Sequence, residues 1–254
     1  MPQHNAGTAH ASNYLLAQHT RADEEEKIGP PVLVVSPHYD DAIFSCAGLL
    51  AARPGSTVVT VYTGLPAQIE LSTDWDRRCG FANALEAIRI RNTENQSALA
   101  LVNARAIDLD FLDSQYVRGS SVIAGQLVDT LSCTILRQHP AAVFAPLGLF
   151  HEDHICTSNA LMTLCRLFPA MPWFVYEEIP YRVYQGLVQE RLSWLLIQGL
   201  TATPANLRCT VSRKAPAVAS YRSQLAGLGA AGVRSILQEP ECYWRLTSRK
   251  EQAA

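Results

Sequence analysis

Val32-Leu33-Val34-Val35-Ser36-Pro37-His38-Tyr39-Asp40-Asp41 is an apolar run that stops at a proline and then presents a histidine and two aspartates. The run has the length and β-branched content of a buried strand, and the proline marks where it leaves the sheet. Ligands of an open α/β sheet bind in the crevice beyond the carboxyl ends of its strands, so polar residues there are placed for chemistry rather than packing. A second segment repeats the pattern: Ala141-Ala142-Val143-Phe144-Ala145 closes at Pro146, and a short loop follows with His151-Glu152-Asp153-His154. Of the seven histidines, His4, His10 and His19 lie in a polar N-terminal stretch, and three of the remaining four fall in these two clusters.

Strand and helix signals alternate outward from the first stretch. Ile43, Cys46, Ala47, Leu49 and Leu50 follow at helical spacing until Pro54-Gly55, and Ser56–Thr63 is rich in β-branched residues. Ser72 and Thr73 are capping residues ahead of a long helix, straight or kinked, expected over Trp75–Leu101, and Ile107–Leu112 reads as a third strand. An amphipathic helix is expected over 121–138, with Val122, Ile123, Leu127, Leu131 and Ile135 inward, then the strand at 141–145. Further helices are expected over Ile155–Phe168, 187–198 and near 214–226, with strands at Trp173–Tyr176, 206–211 and 242–247. The alternation predicts an α/β fold: a Rossmann-like, doubly wound, mostly parallel sheet with helices on both faces and room for an antiparallel C-terminal addition. With 254 residues, 48 % of them hydrophobic, residues 30–254 are expected to form a single domain, preceded by a loosely attached tail over 1–29.

Composition narrows the function. A formal net charge of −2 with no lysine or arginine block gives no footprint for nucleic acid or an anionic membrane. No run of about 18 apolar residues offers a membrane span, and residues 1–29 lack the basic and apolar regions of a secretory signal. Seven widely spaced cysteines without a CxxC pair read as reduced thiols, so a cytoplasmic location is expected. Pro37-His38-Tyr39 stands where a dinucleotide-binding fold carries GxGxxG, so no phosphate cradle is offered.

The residue types suit a divalent cation. Zinc takes imidazole nitrogen and carboxylate oxygen at about 2.0–2.2 Å, and a catalytic site keeps three protein ligands and one open position. His38, Asp41 and His154 could supply the three; Asp40, beside them, is a candidate general base, and His151 could stabilise an oxyanion or protonate a leaving amine. Asp153 could orient an imidazole by hydrogen bonding. Structural roles compete with each of these. Asp40 or Asp41 could cap the helix that follows, Asp153 could cap the helix starting near 154, and His151 could be a loop residue without a role. No single cap, however, explains both tips.

These residues resemble a known family. His38-Tyr39-Asp40-Asp41 after a valine-rich strand resembles the HPDDE signature of the LmbE-like (PIG-L) zinc-dependent N-deacetylases, and His151-Glu152-Asp153-His154 resembles their HxDH segment. The resemblance implies a Rossmann-like sheet, a zinc ion and hydrolysis of an N-acetyl group on a glucosamine-containing small molecule or natural product. It also implies metal ligation by His38, Asp41 and His154, base catalysis by Asp40 and assistance from His151. Weaker similarity covers Arg77, Arg78, Arg91, Asp110–Asp113, Glu177–Tyr181 and Lys214 with Tyr221–Gln224; Arg78, Asp113 and Tyr181 are the candidate substrate contacts, although Arg78 could be a solvated helix face and Asp113 a turn residue. Tyr62, Trp75, Tyr116 and Tyr181 offer stacking faces. Tyr39 stands where the family has proline and Ala42 where it has glutamate. The lost glutamate motivates an alternative, a non-catalytic glycoconjugate-binding member.

Overall fold

The structure, a computed structural model, describes residues 25–117 and 124–248. The first strand, β1 (Leu33–Ser36), is buried at every position. Leu33 and Val35 join one apolar cluster and Val34 the other, so β1 is covered on both faces, as expected of a parallel strand. Burial of each such side chain contributes roughly 1.5–3 kcal/mol. Helix α1 (Asp41–Ala51) follows, then β2 (Thr57–Thr60), the short α2 (Asp74–Arg78), α3 (Ala84–Leu101), β3 (Arg105–Asp108), α4 (Ala124–Gln138) and β4 (Val143–Pro146). Beyond them come α5 (Glu152–Leu167), β5 (Trp173–Tyr176), α6 (Ile179–Arg182), α7 (Leu187–Ile197), β6 (Leu200–Ala205), α8 (Lys214–Val218), α9 (Arg222–Gln238) and β7 (Tyr243–Ser248).

The strands form one sheet in the order β3-β2-β1-β4-β5-β7-β6. The first five are parallel; β7 runs antiparallel to β5, and β6 antiparallel to β7. The mostly parallel α/β sheet and its antiparallel C-terminal addition therefore match the expectation. On one face Ala42, Phe44, Leu99 and Ile236 pack against Val34, Val58 and Phe144. On the other Leu127, Leu131, Leu161 and Leu195 cover Leu33, Val59, Val143 and Val175.

Four element boundaries differ from the sequence expectation. The helix expected over Trp75–Leu101 is two helices, because Gly80 takes a φ of 88° and Asn83 starts α3 by accepting the Glu86 amide at 3.0 Å. The strand expected at 107–112 is β3, ending at Asp108; at Asp110 the backbone turns to a φ of 61° and leaves the sheet. The strand expected at 206–211 lies instead at Leu200–Ala205, where Pro204 is tolerated because β6 is the sheet edge. The helix near 214–226 is split into α8 and α9. Val122, Ile123 and the first 24 residues of the expected tail lie outside the described residues, while Glu26 pairs with Asn206 through its backbone and with Arg245 through its carboxylate.

Candidate active site

The strand order reverses between β1 and β4, and the loops leaving these two neighbours open a crevice at that point. Each loop brings one of the two polar clusters. After β1 the turn is knitted by Ser36, whose hydroxyl accepts the Ala42 amide at 2.9 Å and donates to the His38 carbonyl. The His38 amide donates to Asp41 Oδ2 at 2.8 Å, which fixes that carboxylate under the imidazole. Asp40 occupies the N-cap position of α1 but makes no side-chain capping hydrogen bond, so its carboxylate is left to the crevice. After β4, Gly148 adopts a φ of 90°, and a Cβ there would lie 2.7 Å from Ser158 Cβ, so only glycine fits. His151 caps α5, its Nδ1 accepting the Asp153 amide at 3.3 Å, which leaves Asp153 free for another task.

Three donors meet. His38 Nδ1 lies 3.4 Å from Asp41 Oδ2 and 3.3 Å from His154 Nε2, and His154 Nε2 lies 3.2 Å from Asp41 Oδ2. A tetrahedral cation with donors at about 2.0–2.1 Å has donor–donor edges of about 3.3–3.4 Å, so the triangle matches a zinc-sized ion. Carboxylates hold the far nitrogen of each imidazole: His38 Nε2 is 3.0 Å from Asp153 Oδ2, and His154 Nδ1 is 3.2 Å from Glu178 Oε1. Asp153 Oδ2 also accepts the Ser114 amide and hydroxyl at 3.2 and 3.0 Å.

The charges ask for a cation. Burial lowers the His154 pKa, but Asp41 and then Glu178 outweigh it and hold the ring at about 9. Burial likewise opposes ionisation of His38, yet Asp113, Asp153 and Asp41 raise its pKa well above the ordinary value. Asp41, although buried, is held far below the usual carboxylate range by His154 and His38. Asp40 goes the other way: burial first, then the Asp41 charge, pushes it up to about 6. Burial lowers the pKa of His151, and His38 and His154 lower it further.

The crevice is a cavity of about 240 Å³ lined by His38, Asp40, Asp41, His151, Asp113 and Tyr181, with Tyr62, Trp75 and Tyr116 also on its walls. Asp113 caps the turn at Ser114–Tyr116 by accepting the Gln115 amide, and its Oδ2 lies 3.8 Å from His38 Nε2. Tyr181 meets His154 edge-on at 5.0 Å. Arg78, a candidate substrate contact, is exposed beside Trp75 and does not line the cavity, whereas Arg91 does, paired to Asp76 at 3.0 Å. Glu178 is a candidate site residue whose placement the sequence did not reveal. Grouped there with substrate contacts, it lies fully buried behind His154 and accepts the Gly148 and Leu149 amides at 2.9 and 3.0 Å. Its signal was its position at the tip of a third parallel strand, β5. Tyr39, at the family's proline position, is buried with its hydroxyl between Asn92 and Asp108.

A family profile described as PIG-L, GlcNAc-PI de-N-acetylase, matches residues 33–165, a span containing both clusters. The chain belongs to the PIG-L family. Among solved structures, the PIG-L chain is 26 % identical to a deacetylase triple mutant (Orf2*T) of the teicoplanin biosynthetic pathway, with a TM-score of 0.71 over 87 % of this chain and 100 % of that one. It shares its fold with the A40926 pseudoaglycone deacetylase Dbv21 (24 % identity, TM-score 0.69, 85 % and 97 % covered) and with the zinc-inhibited form of teicoplanin deacetylase Orf2 (22 %, 0.71, 87 % and 99 %). No curated protein matches. Among the described residues of this PIG-L chain, no helix is long and apolar enough to cross a membrane.

Proposed function

We propose that this PIG-L protein is a zinc-dependent N-deacetylase that hydrolyses the N-acetyl, or a similar N-acyl, group of an amino-sugar-containing small molecule or natural product, with residues 30–254 as its catalytic domain and the cytoplasm as its setting. The observation that carries this reading is the donor triangle of His38, Asp41 and His154 with an uncommitted carboxylate, Asp40, next to it. When bound, the cation supplies Lewis acidity, polarising the acyl carbonyl and lowering the pKa of water toward about 7. Asp153 and Glu178 hold the two ligand imidazoles by their far nitrogens, which fixes ring orientation and raises ligand basicity.

Asp40 removes a proton from the attacking water and returns it to the amine nitrogen as the carbon–nitrogen bond breaks, giving acetate and the free amino sugar. A carboxylate poised near 6 suits both halves of that exchange, because it is mostly ionised at neutral pH yet basic enough to accept a proton. His151 is the oxyanion donor. Its Nδ1 is occupied by the Asp153 amide, so a neutral ring carries its proton on Nε2, available to a tetrahedral oxygen.

The test is Asp40→Ala. The variant should retain wild-type zinc content and lose roughly 100- to 10,000-fold in acetate release from N-acetylglucosamine derivatives. Full activity would remove Asp40 from the mechanism. Zinc binding without acetate release from any N-acetylated amino sugar, in the wild type, would favour the non-catalytic reading that Ala42 raises.

A further inference from the structure

The geometry points to an aromatic platform beside the cavity, built by Phe150, which stacks on the lining residue Tyr181, and by Tyr184, that stacks against an aryl group carried by the substrate's amino sugar. This rests on the deacetylase reading above and specifies which conjugates that site takes. Phe150 is 60 % exposed and Tyr184 51 %, unusual for aromatic rings beside a buried centre. Their rings are nearly parallel, 5.1 Å apart at 19°, and Phe150 is also stacked on Tyr181 at 5.5 Å and 21°. Tyr181 lines the cavity and touches His154, so the stack is continuous from the metal-ligand candidates to the surface. Phe150 and Tyr184 end that stack with more than half of each residue exposed to solvent.

The backbone holds Phe150 outward. Its φ is 59°, a conformation that a bulky residue adopts only when its surroundings impose it. Here the constraints are visible: the Gly148 and Leu149 amides donate to Glu178, and the His151 amide donates to the Leu149 carbonyl at 2.6 Å. The same contacts that seat His154 and His151 therefore present the Phe150 ring to solvent. The occupant we assign is the aglycone of the substrate, because a sugar whose N-acyl group reaches Asp40 must leave its remaining substituents at the cavity mouth.

The test uses two products, phenyl and methyl β-D-glucosaminide, which bind without turnover, and titrates each into the purified protein by calorimetry. The phenyl compound should bind roughly three- to tenfold more tightly, the range expected of one aromatic pair. Tyr184→Ala and Phe150→Ala should each bring the ratio of the two dissociation constants close to one; Tyr184→Ala guards against disturbance of the neighbouring His151. Equal affinities in the wild type, or an unchanged ratio in Tyr184→Ala, would overturn the assignment. So would dimerisation in light scattering that Tyr184→Ala abolishes, which would give the face to a second copy. Acetate release, measured separately, can fail without affecting this comparison, so the two readings fall independently.

Discussion

At the residue scale, the clearest physical distinction is between neighbouring aspartates. Asp41 is tied to the His38 amide and to two imidazoles, and they keep it ionised; Asp40 is bound to none of them, and burial and the Asp41 charge push its pKa up to about 6. That difference was legible in sequence only as a choice, since either aspartate could have capped α1. Glu178 was not legible in that role. Nothing in Glu177-Glu178 says which carboxylate turns inward, and only the parallel alignment of β5 beside β4 puts Glu178 behind His154. Glu178→Gln keeps an acceptor for the Gly148 and Leu149 amides but loses the charge that raises His154 basicity. It should weaken zinc binding about 10- to 100-fold in competition with a chromophoric chelator, with the fold retained by circular dichroism.

At the scale of elements, periodicity located the helices but not their ends. Phe81, Leu85 and Ile88 keep a helical pattern across the α2–α3 break, and the interruption is written in Gly80 and Asn83, which only a positive φ and a cap reveal as punctuation. Thr73 was readable as a cap; its hydroxyl accepts the Asp76 amide while Asp76 accepts the Thr73 amide. Pro204 obscured β6, because proline argues against a central strand and the sequence does not show which strand is an edge. The apolar stripe of α4 was readable where it is described, with Leu127, Leu131 and Ile135 buried. Leu131→Ala should therefore cost about 2–5 kcal/mol in urea unfolding, whereas Thr73→Ala at the cap should cost about 1 kcal/mol.

For the whole molecule, the sheet order explains why two sequence-distant clusters meet. β1 and β4 are neighbours at the point where the order reverses, so their outgoing loops face one another and place His38, Asp41 and His154 in one triangle. The parallel half was legible from its buried apolar runs, two of which, β1 and β4, stop at a proline ahead of a polar tip; in the antiparallel half the strand at 242–247 was legible as β7, whereas the edge strand β6 was hidden by Pro204. No disulfide joins the described cysteines. Burial pushes Cys209 up to about 12 and Cys79 to about 11, so both stay protonated at pH 8. Alkylation of the native protein at that pH should label exposed Cys133 first and leave Cys209 and Cys79 largely unmodified until denaturant is added. The central claim is a cation held by two imidazoles and one carboxylate, and zinc X-ray absorption on the purified protein tests it most directly. The account predicts about one zinc per chain with nitrogen and oxygen donors at about 2.0–2.2 Å; a sulfur shell at about 2.3 Å, or zinc retained unchanged in His154→Ala, would contradict it.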